Sequence, residues 1–378
     1  MGFGIYIHFP FCRSRCPYCD FATTDDADLH RRFRTGYVEV LRREWALRRR
    51  AHPGIAASSL TSVYFGGGTP NLMSAEEIAP LLTDVLSGVG GMDVGLEITV
   101  EMNPGVTDAS ELHHLRETGI NRASLGVQST DDRLLRALGR EHSASDARSA
   151  YEEIRETEFD SVGVDLIFGI PGQTLADWDA TLREVIAWRP DHVSTYNLTA
   201  KDQTRLGDRV RSGEITLPGD DETIAMFAAA HGSLSEAGYE HFEISNFARP
   251  GHRCRHTSDV WRGEPYLGLG LGAHSCLGDE RFWNTSDWEE YHRLIGDGEL
   301  ASSPDLERDT AARLAESLYL GLRTREGVSL DALAHLRKTK RLKIEGLVEE
   351  GLAEVDGDRL RLTLRGWAVA DAVVSELI

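Results

Sequence analysis

Three cysteines fall within eight residues near the start of the chain, Cys12, Cys16 and Cys19, in the spacing C-x3-C-x2-C. Three thiols on one tight loop suit metal ligation, and a total of five cysteines is an odd number for a disulfide framework. Three thiolates can hold three irons of a [4Fe–4S] cluster and leave the fourth iron without a protein ligand. An open coordination position is where a metal centre does chemistry. The amino and carboxylate groups of S-adenosylmethionine can chelate that iron. An electron from a low-potential cluster then breaks the sulfonium bond, giving methionine and a 5′-deoxyadenosyl radical. The competing reading is zinc. It needs a fourth ligand from Asp20 or His8, and zinc motifs come as two separated pairs, whereas Cys254 and Cys276 stand alone and far apart.

The next candidates lie where apolar runs end. Ser62 to Phe65 reads as a short strand ending in Gly66-Gly67-Gly68-Thr69-Pro70, where glycines let the backbone approach a ligand without Cβ interference. The turn lacks the Lys-Ser/Thr ending of a nucleotide P-loop, which disfavours phosphate. Glu101 ends a strand in Thr99-Val100-Glu101-Met102-Asn103, where a carboxylate can accept hydrogen bonds from a ribose or an amine. Gln128, Arg140 and Asp165 sit at or just past later strand ends.

The elements that must position these residues alternate. Strands are expected at Gly4–His8, Ser62–Phe65, Leu96–Glu101, Arg122–Val127, Ser161–Phe168 and His192–Asn197, with helices between them. The first helix is a long one over about Ala27–Arg50, and Ser74 and Glu77 form a capping box on a later one. Nearly uniformly apolar strands separated by helices imply a parallel sheet covered by helices, as a full or partial barrel or an open doubly wound sheet. In either, polar residues at the carboxyl ends of strands build the site. After Pro218 the rhythm changes: a helix at about Asp221–Ala237 and a strand-like Glu240–Ile244 lead into an irregular Gly/His/Trp-rich stretch to Trp288. Short helices follow from about residue 307, with a β-ribbon at 353–362, so a winged-helix shape is expected at the end. The expected division is 1–215, 216–300 and 301–378.

At −20, the formal charge of the 378 residues argues against general nucleic-acid binding, because phosphates would repel most of this surface. The basic stretches Arg31–Arg50 and Arg337–Lys343 are read as solvated helix faces. No apolar run approaches membrane-spanning length and no signal peptide is evident, so a cytoplasmic protein is expected.

The motifs Tyr6-Ile7-His8-Phe9-Pro10-Phe11-Cys12 and Cys16-Pro17-Tyr18-Cys19-Asp20-Phe21 resemble the radical S-adenosylmethionine superfamily, specifically its oxygen-independent coproporphyrinogen-oxidase-like branch. The resemblance continues through Gly66–Pro70, Gly126–Ser129, Asp165–Thr174 and Tyr266–Ser275. It implies a partial (β/α)6 barrel with a C-terminal accessory region. It also implies adenosylmethionine contacts from Tyr6, Tyr18, Gly67, Gly68, Thr69, Glu101, Gln128, Arg140 and Asp165. Of the branch's classes, the decarboxylating dehydrogenase typically has a fourth cysteine where this chain has Phe21. HemW-type heme chaperones are most similar, through Cys19-Asp20-Phe21 and Glu243–Gly251. Their usual His-Asn-x-x-Tyr-Trp appears here as His256-Thr257-Ser258-Asp259-Val260-Trp261, half altered. The resemblance thus implies heme as a third cofactor, with His256 as axial ligand and Trp261 against the porphyrin. His252, Cys254 and His274 are further candidates. A heme-accepting partner follows, a membrane-associated one being an expectation, with the chain then peripheral to the membrane. The rival expectation is a radical methyltransferase or cyclopropanase using two adenosylmethionines on a small-molecule substrate.

Overall fold

Six strands follow one another side by side in chain order, all parallel: β1 (Gly2–Phe9), β2 (Ser59–Gly67), β3 (Gly91–Met102), β4 (Arg122–Gln128), β5 (Ser161–Phe168) and β6 (His192–Asn197). This computed structural model describes residues 2–305, 309–331, 333 and 338–377, with backbone only over 338–341. β1, β4 and β5 are buried on nearly every residue, because helices cover one face and the other faces the interior of the curved sheet. Those helices include Tyr37–Ala51, Ala75–Ser87, Ala109–Glu117, Ala144–Glu156 and Leu175–Trp188. The arrangement is the expected partial (β/α)6 barrel. Ser74 and Glu77 form the expected capping box.

The sheet does not stop at six strands. Beyond β6 it continues antiparallel through β7 (Glu240–Glu243) and β8 (Asn246–Ala248), with β8 next to β6. On the opposite edge β9 (Tyr266–Leu269) pairs parallel with β1, and β10 (His274–Leu277), β11 (Glu280–Asn284) and β12 (Ser302–Pro304) extend it antiparallel. The stretch read as irregular up to Trp288 therefore contains four strands and the helix Arg255–Trp261. Strands of three to five residues are too short to leave a readable period.

The long helix expected over Ala27–Arg50 is broken. A π-type turn at His30–Arg34 and Gly36 at φ +87° separate Ala27–Leu29 from Tyr37–Ala51. Nor is its arginine face wholly solvated. Arg48 is buried beside Glu44, donates to Asn284 Oδ1 at 2.6 Å, and ties this helix to β11.

The C-terminal part pairs helices Thr310–Leu322 and Lys338–Glu349 with an antiparallel sheet of β13 (Val328–Ser329), β14 (Ala353–Asp356) and β15 (Arg359–Leu362). Two short helices close it, giving the winged-helix-like shape. It docks on the barrel's β7 edge through the Arg323–Glu243 ion pair at 2.9 Å. In the basic stretch Arg337–Lys343, Arg337 and the side chains of 338–341 lie outside the described residues. No helix among the described residues is long and apolar enough to cross a membrane.

Candidate functional site

The cysteine loop is held at both ends by backbone. Cys12 N–H donates to Thr24 O at 2.9 Å and Thr24 N–H to Pro10 O at 2.8 Å, so the loop leaves and re-enters at the carboxyl end of β1. The glycine turn after β2 is fastened to the same segment, with Gly68 N–H on Phe9 O at 2.7 Å and Thr69 N–H on Phe11 O at 2.9 Å. Glycine is required there. A Cβ on Gly68 would stand 2.7 Å from Phe11 O and 2.9 Å from Cys12 Sγ, and Gly67 has φ +115°.

These two segments form one wall of a cavity of about 400 Å³ at the carboxyl ends of the strands. It is lined by Cys12, Cys16, Cys19, Tyr18, Gly67, Gly68, Thr69, Glu101, Gln128, Arg140 and Asp165. Every adenosylmethionine-contact expectation except Tyr6 therefore meets around one space. The three thiols line that space together. Among the described residues no group of three or more His, Cys, Asp or Glu gathers at single-ion range. A polynuclear cluster at the thiols, with a ligand beside it against the bare Gly67–Gly68 backbone, fits this donor set.

The charges in the cavity are buried and opposed. Arg140 donates to Cys16 Sγ at 3.5 Å and Gly126 O at 3.2 Å, and also to Asn103, setting a permanent positive charge beside a thiol. Burial pushes the Cys12 thiol up to about 11, so metal binding must displace a proton there. Glu101 accepts from Tyr64 Oη at 2.7 Å and Gly67 N–H at 3.1 Å. Burial nevertheless lifts its carboxyl to about 7, with the nearby Asp165 adding to the rise. Asp165 is also raised by burial, against hydrogen bonds from Ser194 and Ser124 and the charges of Arg122 and Arg140. Two carboxylates awaiting a counter-charge fit a cationic ligand. Gln128 holds φ +66°, a left-handed backbone that is uncommon outside glycine.

Sequence reasoning passed over Asn103, Tyr196 and Ser124. Asn103 Nδ2 donates to Thr69 Oγ1 at 3.0 Å and its side chain also meets Arg140, so it links the glycine turn to the cluster loop. Its signal was its place two residues after Glu101 at the strand end. Tyr196 lines the cavity near the end of β6.

Three of the expected contact residues lie away from this cavity. Tyr6 is not in the cavity wall; its hydroxyl lies 3.0 Å from His8 Nδ1, and its ring stacks on Tyr64, 6.1 Å away. His256 and Trp261 do not share a face. Five helical positions set them roughly 140° apart. His256 points into the barrel, 6% exposed, with Nδ1 2.9 Å from Ser62 Oγ and its ring stacked 5.1 Å from Tyr64. Burial lowers it to about 4, a neutral core histidine. Trp261 instead lines a cleft of about 710 Å³ toward the C-terminal part, with Arg323 4.8 Å over its ring. Cys254 is buried beside Glu97.

Residues 6–185 match the Radical SAM superfamily, and residues 309–369 match the HemN C-terminal domain. The heme chaperone HemW of Mycobacterium tuberculosis is 36% identical over all of this chain and 95% of its own length. The heme chaperone HemW of Synechocystis is 37% identical over 91% of this chain and 83% of its own. Among solved structures, coproporphyrinogen III oxidase (HemN) from Escherichia coli, a radical SAM enzyme, aligns with all of this chain and 90% of its own. Its TM-score is 0.83 at 22% identity, a likeness of fold. With the cysteine loop, glycine turn and barrel in place, and relatives matched along 83–95% of their length, the chain belongs to the radical SAM superfamily and, within it, to the HemW family.

Proposed function

We propose that this protein is a heme chaperone. It holds a [4Fe–4S] cluster at Cys12, Cys16 and Cys19, S-adenosylmethionine beside it, and heme for delivery to an acceptor protein. The observation that carries this reading is the extent of the likeness. Relatives named heme chaperones match through the accessory and C-terminal regions as well as the cofactor half. Phe21, standing where the decarboxylating dehydrogenases have a fourth cysteine, supports it. The same reading divides the chain into a cofactor-binding barrel at 1–215, an accessory region at 216–300 and a C-terminal domain at 301–378.

When bound, the cluster supplies single electrons to the adenosylmethionine sulfonium. The chain's own residues do the rest. The Gly67–Thr69 backbone approaches the ligand. Glu101 and Asp165 set carboxylates against its positive groups, and Arg140 balances the thiolate charge at Cys16. Tyr18, Gln128 and Thr69 complete the wall.

Anaerobic reconstitution with heme and adenosylmethionine titrated together tests the reading. One heme per chain with a defined Soret band is expected, and 5′-deoxyadenosine on reduction. Absence of heme binding at micromolar concentration sinks the chaperone reading. Methylated or cyclopropanated product, with two adenosylmethionines consumed, replaces it with the enzymatic one.

A further inference from the structure

A second cavity, of about 620 Å³, shares Asp20 and Phe21 with the cluster cavity, so the two are neighbours across the cysteine loop. It lies over the strands that extend the sheet beyond β1. Across β10, β11 and β12 one register row carries His274, Trp283 and Ser303, and all three line the cavity. Phe21 and Tyr266 add two more rings. Phe21 is 60% exposed, whereas the other eleven of the chain's twelve phenylalanines are buried, and Trp283 is 36% exposed. Open rings gathered at one concave place mark a surface that something covers.

The charge of the lining has one sign. Its carboxylates are Asp20 and Glu290, and it contains no lysine or arginine. Glu290 stands in the first turn of the helix Trp288–Asp297, beside Glu289 and after the N-cap Asp287, and its Oε2 accepts from Thr285 Oγ1 at 2.8 Å. The lining histidines add no positive charge. Burial lowers His8 to about 4, and burial with the charge of Arg281 lowers His274 as well. Arg281 itself, two residues before Trp283 on β11, is paired with Glu316 and lines the neighbouring cleft. Ring faces attract cations, and more strongly where water is partly excluded. A guanidinium suits such a place better than an ammonium, because it lies flat on an aromatic ring while its edge donates to a carboxylate.

We infer that this second cavity takes an arginine side chain presented by a partner protein, with the guanidinium against the ring of Trp283 and donating to Glu290. The occupant is a protein segment because the space is larger than one side chain and is open to solvent at Phe21. The chain's formal charge of −20 draws a basic partner toward it. Trp, Tyr and Arg are also the side chains that carry most binding energy at protein interfaces. The placement has a consequence for the cluster loop. Phe21 is two residues from Cys19 and lines both cavities, so a partner seated here covers the loop beside the adenosylmethionine cavity. The inference goes beyond the chaperone reading and does not require heme.

The test uses the full chain with its cluster reconstituted anaerobically. The probe is the blocked peptide Gly-Arg-Gly-Arg-Gly, set against the same peptide with citrulline, a neutral isostere, at both arginine positions. Binding is read by calorimetry, and cluster iron per chain reports that each variant is folded. Wild type should bind the arginine peptide about tenfold more tightly than the citrulline one, and that preference should shrink as salt rises. E290Q and W283L should each reduce the preference severalfold, and E290Q/W283L should bind the two peptides equally with cluster iron unchanged. Equal binding of the two peptides by wild type overturns the inference, and because that comparison needs no variant, a misfolded one does not shield it. No measurable binding of the arginine peptide at millimolar concentration overturns it too, as does a wild-type preference retained in E290Q/W283L. Blocked arginine alone, N-acetylarginine amide, binding as tightly as the peptide would make the cavity a site for small cations and remove the protein partner.

Discussion

Strand β3 carries two carboxylates four residues apart on one face, Glu97 and Glu101, and they meet opposite fates. At Glu97 the chain itself closes the barrel. The backbone N–H groups of Arg255 and His256 donate to it at 2.9 to 3.1 Å, Cys254 Sγ donates at 3.3 Å, and Arg122 lies 4.0 Å away. At Glu101 the protein supplies a tyrosine hydroxyl and one backbone N–H, and beyond them is the cavity. Carboxylate, arginine, cysteine and a nearby ring occur at both ends. Residue type therefore does not distinguish a plug from a site. What distinguishes them is whether the chain fills the space the polar groups face.

The largest effect expected at the open end is all-or-none. Cys16→Ala should lose essentially all cluster iron after anaerobic reconstitution, read as the visible charge-transfer absorption and iron per chain. Full iron content would remove the cysteine loop as the cluster site. At the closed end the corresponding change is one of stability. Glu97→Ala leaves Arg122 buried without its nearest carboxylate and strips the helix Arg255–Trp261 of its cap. Breaking a buried pair from one side costs about 3–5 kcal/mol. The urea midpoint should fall accordingly, and an unchanged midpoint would mean the plug is not held by this carboxylate. Glu101→Gln should do the reverse, moving stability by less than about 1 kcal/mol. It should weaken adenosylmethionine binding by about 10–100-fold, the worth of a charge-assisted contact. Calorimetric titration on the reconstituted protein separates the two carboxylates.

The same comparison shows what the sequence could and could not disclose. The cysteine loop, the Gly67–Thr69 turn and the ends of β3, β4 and β5 were legible because each is a local pattern whose chemistry is set within a few residues. That these segments converge follows from parallel strand order alone. His256 was illegible for the opposite reason. Whether an imidazole on a two-turn helix faces solvent or core depends on where that helix docks, and here it docks against β2, far away in sequence. Arg48 failed to read as buried on the same account, since its partner Asn284 lies on a strand too short to announce itself. Phe21 was read through a missing cysteine, but its exposure and its place between two cavities are tertiary facts.

The finest test of the contrast is pH. Burial holds Glu101 near 7, above the usual carboxylate range, so the folded state binds this proton more tightly than the unfolded chain does. Its contribution to stability is complete below the unfolded carboxylate range and is lost as pH rises through 7. Between pH 6 and 8 the ligand-free protein should lose about 1.4 kcal/mol from this group. Ligand affinity should move the other way. If the carboxylate must be ionised to face the sulfonium or amine, adenosylmethionine should bind roughly tenfold more tightly at pH 8 than at pH 6, following the ionised fraction. Glu101→Gln should flatten both trends, because it keeps the shape and removes the titration. Glu97 gives the control. Its partners are amides and an arginine supplied by the fold, so Glu97→Gln should lower stability while leaving the slope of affinity with pH intact. A pH trend in binding that survives in Glu101→Gln would assign the titration to another group in the cavity, with Asp165 the first to examine.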